Sequence, residues 1–506
     1  MPLHLRRIRT GLVATTAAAV GLAVGLPAGA SAAPAADRVQ IDSAPSWTSS
    51  AASTGAVADT TPVRLTAVLA LRDLAAAQKL ATAVSDPTSS QYRHYVTPAA
   101  WRTSFAPTSD QIASVTSWLT SQGFTVGTVP ANGRYVSFTG TAKQAEDAFG
   151  TSLSGFVKSG AHVVANTAPV TIPSALSGLV AGIGGLDTSV KSTPDHTTGV
   201  TATSAKPLLN SHALSTPTTT APTTVLPPPG PVFRNAGPCS AYFGQKTANN
   251  FPDPLKDTLT YAVCGYKPPQ MRGAYGLDQT QAVGLDGRGV TVAVVDAFAS
   301  PFILGDAQQY AHNNDPSHPL RGYQFSQNLP GSYSYIDECG AAGWYGEETL
   351  DVEAVHAMAP GANILYVGGQ SCQDTDLLAA VNTVVDNGLA QIITNSYGDY
   401  GEPTNISSVI ENEQTSLQAA AEGITILFSS GDNGDEVANL GHRAVDYQAS
   451  DPFITAVGGT NLHIGKANNW GREIGWGTGK SILTNGVWAP LPPAYVYGGG
   501  GGTSAL

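Results

Sequence analysis

Charge is scarce in this chain. Asp, Glu, Lys and Arg make up 12% of 506 residues, about half the ~25% of ordinary globular proteins. The 25 basic residues are outnumbered by 37 acidic ones, a formal charge of −12, which removes the overall basic footprint a nucleic-acid partner requires. Beyond the first ~30 residues no stretch of 18 uninterrupted apolar residues occurs, so no membrane span is expected. Only four cysteines are present, Cys239, Cys264, Cys339 and Cys372. None belongs to a close-spaced Cys or His pair, which argues against zinc. Gly (55) and Pro (34) together stay under the ~25–30% of a wholly disordered chain. What remains is an acidic protein whose 42% hydrophobic content can fill sizeable cores, in about three units by length.

The first segment has the pattern of an export signal over residues 1–32. Arg6, Arg7 and Arg9 precede an apolar stretch from Gly11 to about Leu26, interrupted by Thr15 and Thr16, and Ala30-Ser31-Ala32 offers small residues for cleavage. The mature product is therefore expected outside the cell. There, four thiols allow three disulfide connectivities. Nearest-neighbour pairing, 239 with 264 and 339 with 372, closes two local loops.

Charge is also unevenly spread: residues 1–230 carry +4 and residues 231–506 carry −16. The two parts attract at neutral pH, and the attraction fades as carboxylates protonate.

An activation-like unit is expected over 40–187. Val63, Leu65, Ala67, Leu69 and Leu71 alternate as a strand with one buried face. Asp73 caps a helix carrying Leu74, Ala77, Leu80 and Val84 on one stripe. A helix over 109–122 follows, with Ile112, Val115, Trp118 and Leu119 inward and Gly123 as its stop. Strands near 124–129 and 134–138 meet through Asn132-Gly133, a hairpin signal. Thr141 and Gln144 form a capping box for a helix ending near Phe149, and a last strand is expected at 151–157. With the first helix set aside, the order βαββαβ predicts an α+β ferredoxin-like sandwich. Residues 188–230, with runs such as Thr218-Thr219-Thr220 and Pro227-Pro228-Pro229, cannot bury a core and read as an exposed linker.

From 231 to 506 apolar strands alternate with helices: 289–295, 364–367, 391–394, 424–428 and 453–457 as strands, with helices near 375–387 and 407–422. That alternation predicts an α/β unit, a parallel sheet with helices on both faces, and its chemistry belongs at the carboxyl ends of the strands.

Three features occupy such positions. The stretch 346–358 reads as helix and puts Glu347, Asp351, Ala354 and Met358 in one narrow sector. Two acids thus share a face that continues apolar; like charges four residues apart repel, and burial raises at least one pKa. A solvated acidic face is the competing interpretation. Second, Gly431-Asp432-Asn433-Gly434 follows the buried strand 424–428, so a sharp turn projects Asp432 into the crevice; a plain Asp turn is the alternative. Third, Ser396-Tyr397-Gly398 ends a strand where exposed backbone can pair with an extended peptide.

Together these residues resemble the sedolisin family of serine-carboxyl peptidases, in particular its kumamolisin-type members with a large pro-domain. Glu347 and Asp351 match the family's Glu-x-x-x-Asp, Asp432 its oxyanion turn, and Ser396-Tyr397-Gly398 its Ser-Trp-Gly strand end. The stretch 452–460 is similar to a further block, and Asp86-Pro87, 92–98, Phe105-Ala106-Pro107 and 140–149 resemble its activation domain. The resemblance implies a subtilisin-like fold and a secreted, acid-acting zymogen that hydrolyses peptide bonds as an endopeptidase or tripeptidyl peptidase. In it Glu347 serves as base to a serine, Asp351 orients it, and a protonated Asp432 donates to the oxyanion. Ser396, Tyr397 and Gly398 then bind substrate. The partners are a peptide or protein substrate and the chain's own pro-domain.

Gly502-Thr503-Ser504 has the look of a nucleophile motif, but Ser504 lies only 72 residues after Asp432 and better resembles a glycine-rich block on the substrate side. No nucleophile is therefore assigned within the chain. The calcium site that the resemblance implies is likewise expected beyond residue 506, and none is expected within the sequence. Two other interpretations stand: a secreted peptide-binding protein that keeps the groove without catalysis, and a subtilisin-type enzyme. Asp296 follows a strand as the subtilisin aspartate does, yet no His-Gly-x-His helix accompanies it, so a structural role is expected for Asp296.

Overall fold

Alternate residues of the strand Thr291–Ala297 feed two different cores. Ala293, Val295 and Ala297 join one that includes Leu377, Val381 and Ile393; Val294 joins another with Ile303, Val352 and Tyr366. A strand buried on both faces must be apolar throughout, which is why 289–295 shows no alternation. The computed structural model describes residues 37–158, 160–194, 239–247, 260–403 and 406–506. The expected signal over 1–32 and nearly all of the linker beyond residue 194 lie outside the described residues.

The central sheet has six strands. In spatial order they are Phe325–Asn328, Asn363–Gly369, Thr291–Ala297, Ile392–Asn395, Thr425–Ser429 and Thr455–Val457, all parallel. Helices Ile303–Asn314 and Ala341–Met358 pack with each other and with the sheet, and Asp374–Asn387 and Ile406–Glu422 form a second helix pair. The expected parallel α/β architecture is thus present. The disulfides join Cys239 to Cys264 and Cys339 to Cys372. The second ties the turn before Ala341–Met358 to the loop before Asp374–Asn387.

The activation unit contains a four-stranded antiparallel sheet in the order Thr125–Val126, Tyr135–Thr141, Pro62–Leu69, Val180–Gly184. This is the ferredoxin-like order. Asp73 caps Leu74–Ser85 by accepting from the Ala76 N–H, and the Thr141–Gln144 capping box opens Ala142–Phe149. One expectation is corrected. The strand at 151–157, observed as Leu153–Lys158, does not complete this sheet; it pairs with Ala52–Ala56 and Ala161–Asn166 in a separate three-stranded sheet. The fourth ferredoxin-like strand is Val180–Gly184. Leu153 and Phe156 are buried three residues apart, so burial along this strand does not alternate, and only pairing, which has no local signature, decided its sheet.

Arg38–Leu506 is one compact unit, because the activation sheet docks on the helices Asp374–Asn387 and Ile406–Glu422. Gly182 lies so close to the second helix that a Cβ there would collide with Ser407. The Asn132-Gly133 hairpin supplies the polar anchor. Asn132 Nδ2 donates to Asn382 Oδ1 at 2.8 Å, its backbone N–H to Asp386 Oδ2 at 2.9 Å, and Arg134 Nη2 to Gln418 Oε1 at 2.6 Å. Arg102–Asp386 at 3.1 Å and Arg64–Asp376 at 2.9 Å add ion pairs, each with its cation on the activation side, as the charge imbalance requires.

Candidate active site

Helix Ala341–Met358 buries acids as well as apolar groups. Glu347 and Glu348 are 0% exposed and Asp351 is 8% exposed, so the solvated-face interpretation fails for these residues. The helix is fixed at the strand ends by aromatic packing: Trp344 lies 5.8 Å from Tyr397, and Tyr397 meets Phe428 edge-on at 5.3 Å. Ser396 Oγ donates to Asp351 Oδ1 at 2.8 Å. The helical acid and the Ser396-Tyr397-Gly398 strand end are therefore in direct contact.

Asp296 joins the same cluster. It is fully buried, and neither carboxylate oxygen has a hydrogen-bond partner among the described residues. Burial first, then the nearby charges of Asp351, Glu347 and Glu348, push its pKa well above the usual carboxylate range. A carboxyl in that state holds its proton, since burying an unpaired charge costs far more than protonation. Glu348 is raised by burial too, although the Ser300 N–H donates to its Oε2 at 2.5 Å. The structural role expected for Asp296 is thus an incomplete account. Its place at the carboxyl end of a central strand was the signal that located it, and its proximity to Glu347 was not legible. Glu348 had no sequence signal, because it sits off the Glu347–Asp351 sector.

The Asp432 turn stands at the end of the neighbouring strand Thr425–Ser429. Gly431 has φ +95°, and a Cβ there would collide with Asp446 Oδ2; glycine is what permits this path. Ser429 Oγ lies 3.5 Å from the Tyr397 carbonyl, so the turn adjoins the Ser396-Tyr397-Gly398 strand end. The glycine-rich segment 498–502 runs along the turn, with Gly498 N–H donating to the Asp432 carbonyl at 2.7 Å and Gly500 N–H to that of Gly431 at 2.8 Å. Asp432 itself is half-buried. Ser504 is exposed; its hydroxyl accepts from the Leu506 N–H at 3.1 Å, while the Ala505 N–H donates to Glu402 at 2.7 Å.

The groove is occupied by the chain itself. Thr193–Pro194 pairs antiparallel with Tyr397–Gly398, Thr193 opposite Gly398 and Pro194 opposite Tyr397. The Ser192 N–H donates to the Cys372 carbonyl at 2.9 Å, and Lys191 Nζ to that of Glu338 at 2.8 Å. Strand addition at this edge is thus realised by the segment that leaves the activation unit.

Histidine is remote from this chemistry. His356, toward the end of the helix, donates from Nε2 to the His318 carbonyl at 2.8 Å, and His318 pairs with Asp315 at 3.1 Å. Among the described residues no group of three or more His, Cys, Asp or Glu is arranged to hold a metal ion. The calcium implied by the resemblance therefore finds no fitting donor set there.

A six-stranded parallel sheet flanked by helices, with an α+β unit docked on it, defines the class as a subtilase-type fold carrying a pro-region. Residues 338–505 match the subtilase family, and residues 49–189 match the pro-kumamolisin activation domain. Sedolisin of Pseudomonas sp. (strain 101) is 26% identical over 433 residues, covering 83% of this chain and 63% of its own. Mouse tripeptidyl-peptidase 1 is 26% identical over 434 residues, covering 83% of this chain and 64% of its own. The solved structure of Pseudomonas sedolisin complexed with two molecules of pseudo-iodotyrostatin aligns at TM-score 0.37 and 24% identity, over 48% of this chain and 63% of that one. In both parts the chain is similar to members of the sedolisin family. It spans less than two thirds of the length of these relatives.

Proposed function

We propose that the protein is the zymogen of a secreted, acid-acting serine-carboxyl peptidase, with a signal at 1–32, an activation unit at 40–187, a processed linker at 188–230 and a peptidase unit from 231. The observation that carries this reading is the Thr193–Pro194 strand seated on Tyr397–Gly398 beside the Ser396–Asp351 contact. An inhibitory segment that fills the substrate position keeps a peptidase silent until it is displaced. Glu347 is the base, Asp351 orients it, and Asp432 donates to the oxyanion. A carboxylate base works best near its own pKa, so acid is the natural working range of a site built without histidine. Ser396, Tyr397 and Gly398 hold the substrate backbone by strand addition.

Ser504, exposed and accepting from the Leu506 N–H, is not proposed as the nucleophile. The same groove also suits a secreted peptide-binding protein without catalysis, and the realised strand pairing favours that second reading equally. Incubating the secreted protein at about pH 4 separates them. Self-cleavage within 188–230, abolished by Glu347→Ala, supports the peptidase; an intact chain that still binds peptides supports the second reading.

A further inference from the structure

The activation strand presents a side chain as well as a backbone to the groove. Ser192, two residues before the Pro194 that faces Tyr397, is 1% exposed. Its hydroxyl lies 3.0 Å from Asp374 Oδ1 and 3.3 Å from Asp399 Oδ1. Asp399 directly follows Gly398 and is half-buried; Asp374 opens the helix Asp374–Asn387 and is 1% exposed. The two carboxyls are also hydrogen-bonded to each other. Two acids thus converge on one small side chain at a defined register of the bound strand.

We infer that Asp374 and Asp399 form a side-chain subsite of the peptide groove that selects a short hydroxyl side chain, serine above all, two residues before the one facing Tyr397. This rests on the reading of Tyr397–Gly398 as a peptide-binding edge. A hydroxyl carries one donor and two acceptor lone pairs, so it can donate to an ionised carboxylate and accept from a protonated one. Of the side chains short enough to fit, alanine can do neither. Lysine only donates, and its ammonium sits three atoms farther from the backbone, beyond carboxyls already within reach of a serine oxygen. The protonation pattern agrees. Burial raises Asp374 to about 6, and burial together with the charge of Asp374 raises Asp399 well above its usual range, so one of the pair carries a proton at neutral pH.

The test is fluorescence anisotropy with labelled Val-Lys-Ser-Thr-Pro, the sequence of residues 190–194, and with the peptides that carry Ala, Leu or Lys in place of Ser. The receptor is the full chain bearing Ser192→Leu, which weakens its own strand, with Ser192→Gly as a second receptor should the first fail to fold. The serine peptide is expected to bind about tenfold more tightly than the alanine peptide, the cost of leaving a buried acceptor unsatisfied. Adding Asp374→Ala and Asp399→Ala together should erase that preference. Equal binding of the four peptides, preference for Leu or Lys, no binding of any, or a serine preference that survives the double substitution would overturn the subsite. Acid cleavage of mixed peptides is scored separately. Selective binding without cleavage removes the peptidase reading and leaves the subsite, and cleavage without serine preference does the reverse.

Discussion

Ser396 donates to Asp351 across 2.8 Å, and the two residues after Ser396 hold the activation strand by their backbone. The helical carboxyl and the strand edge that holds Thr193–Pro194 are therefore one mechanical unit, so a change in the strand end is felt at the carboxyl within a single hydrogen bond.

The first prediction follows from that unit. Glu347→Ala should abolish acid self-processing, while the conservative Glu347→Gln, which keeps the volume of this fully buried side chain, should do so with the fold intact by circular dichroism. Asp432→Ala should lower kcat by about 10²–10³ with little change in KM, as for loss of an oxyanion donor. Processing followed by gel electrophoresis and steady-state kinetics check both. Normal processing in the first variant, or a pure KM effect in the second, would remove the assigned roles.

Asp386 is the focus of the docking interface. It accepts from the Asn132 N–H at 2.9 Å and pairs with Arg102 at 3.1 Å, and it is 1% exposed. Arg102 keeps part of its surface in water, so a partly screened pair is lost on substitution. Asp386→Ala should weaken docking by about 1–3 kcal/mol. Faster hydrogen exchange across Tyr135–Thr141 and Val180–Gly184, with exchange in Thr291–Ala297 unchanged, is the expected signature; uniform exchange throughout would mean that the fold itself had loosened.

Much of this was legible in the sequence. The strands of the central sheet appear as continuous apolar runs because both faces are buried, and Thr141–Gln144 is written as a capping box. Glu347 and Asp351 fall on one helix face by spacing alone. The partners in space were not legible. Leu153–Lys158 joins one sheet and not the other through pairing across ~100 residues with Ala52–Ala56. Asp296 and Glu347 meet because a helix crosses a strand, and Asp374 meets Asp399 only around Ser192. The charge imbalance foretold that the two parts attract, and the structure resolves that attraction into Arg64, Arg102 and the Asn132 hairpin.

Gly431→Ala should disorder the Asp432 turn. The added Cβ meets a positive φ and Asp446 at once, a strain of about 2–4 kcal/mol. Exchange of the Gly498 and Gly500 amides, which donate to Asp432 and Gly431, should accelerate well beyond that of the Asn363–Gly369 strand. Unchanged protection of those two amides would show that the turn tolerates a side chain and does not depend on glycine.

Stability should rise on mild acidification. Glu411 is 1% exposed, and burial, opposed by Arg134 and assisted by Asp376, raises it to about 8. Asp374 and Asp451 are raised to about 6, chiefly by burial. Between its unfolded value near 4.5 and about 8 the folded chain binds more protons at Glu411 than the unfolded chain does. That contribution is complete below the unfolded pKa and is lost as pH climbs through the folded one. Its ceiling is on the order of 5 kcal/mol. His356 acts oppositely: burial lowers its pKa, so its contribution is lost as pH falls through the unfolded value near 6.5. Five raised carboxyls, Glu353, Asp374, Glu411, Glu422 and Asp451, against the imidazoles of His356 and His463 give a net gain from pH 8 to pH 5. Scanning calorimetry should therefore find Tm several degrees higher at pH 5 than at pH 8, and Glu411→Gln should flatten most of that slope by keeping the site neutral throughout. A Tm that instead climbs toward pH 8, or a slope untouched by Glu411→Gln, would mean that Glu411 is ionised in the folded chain and paired with Arg134.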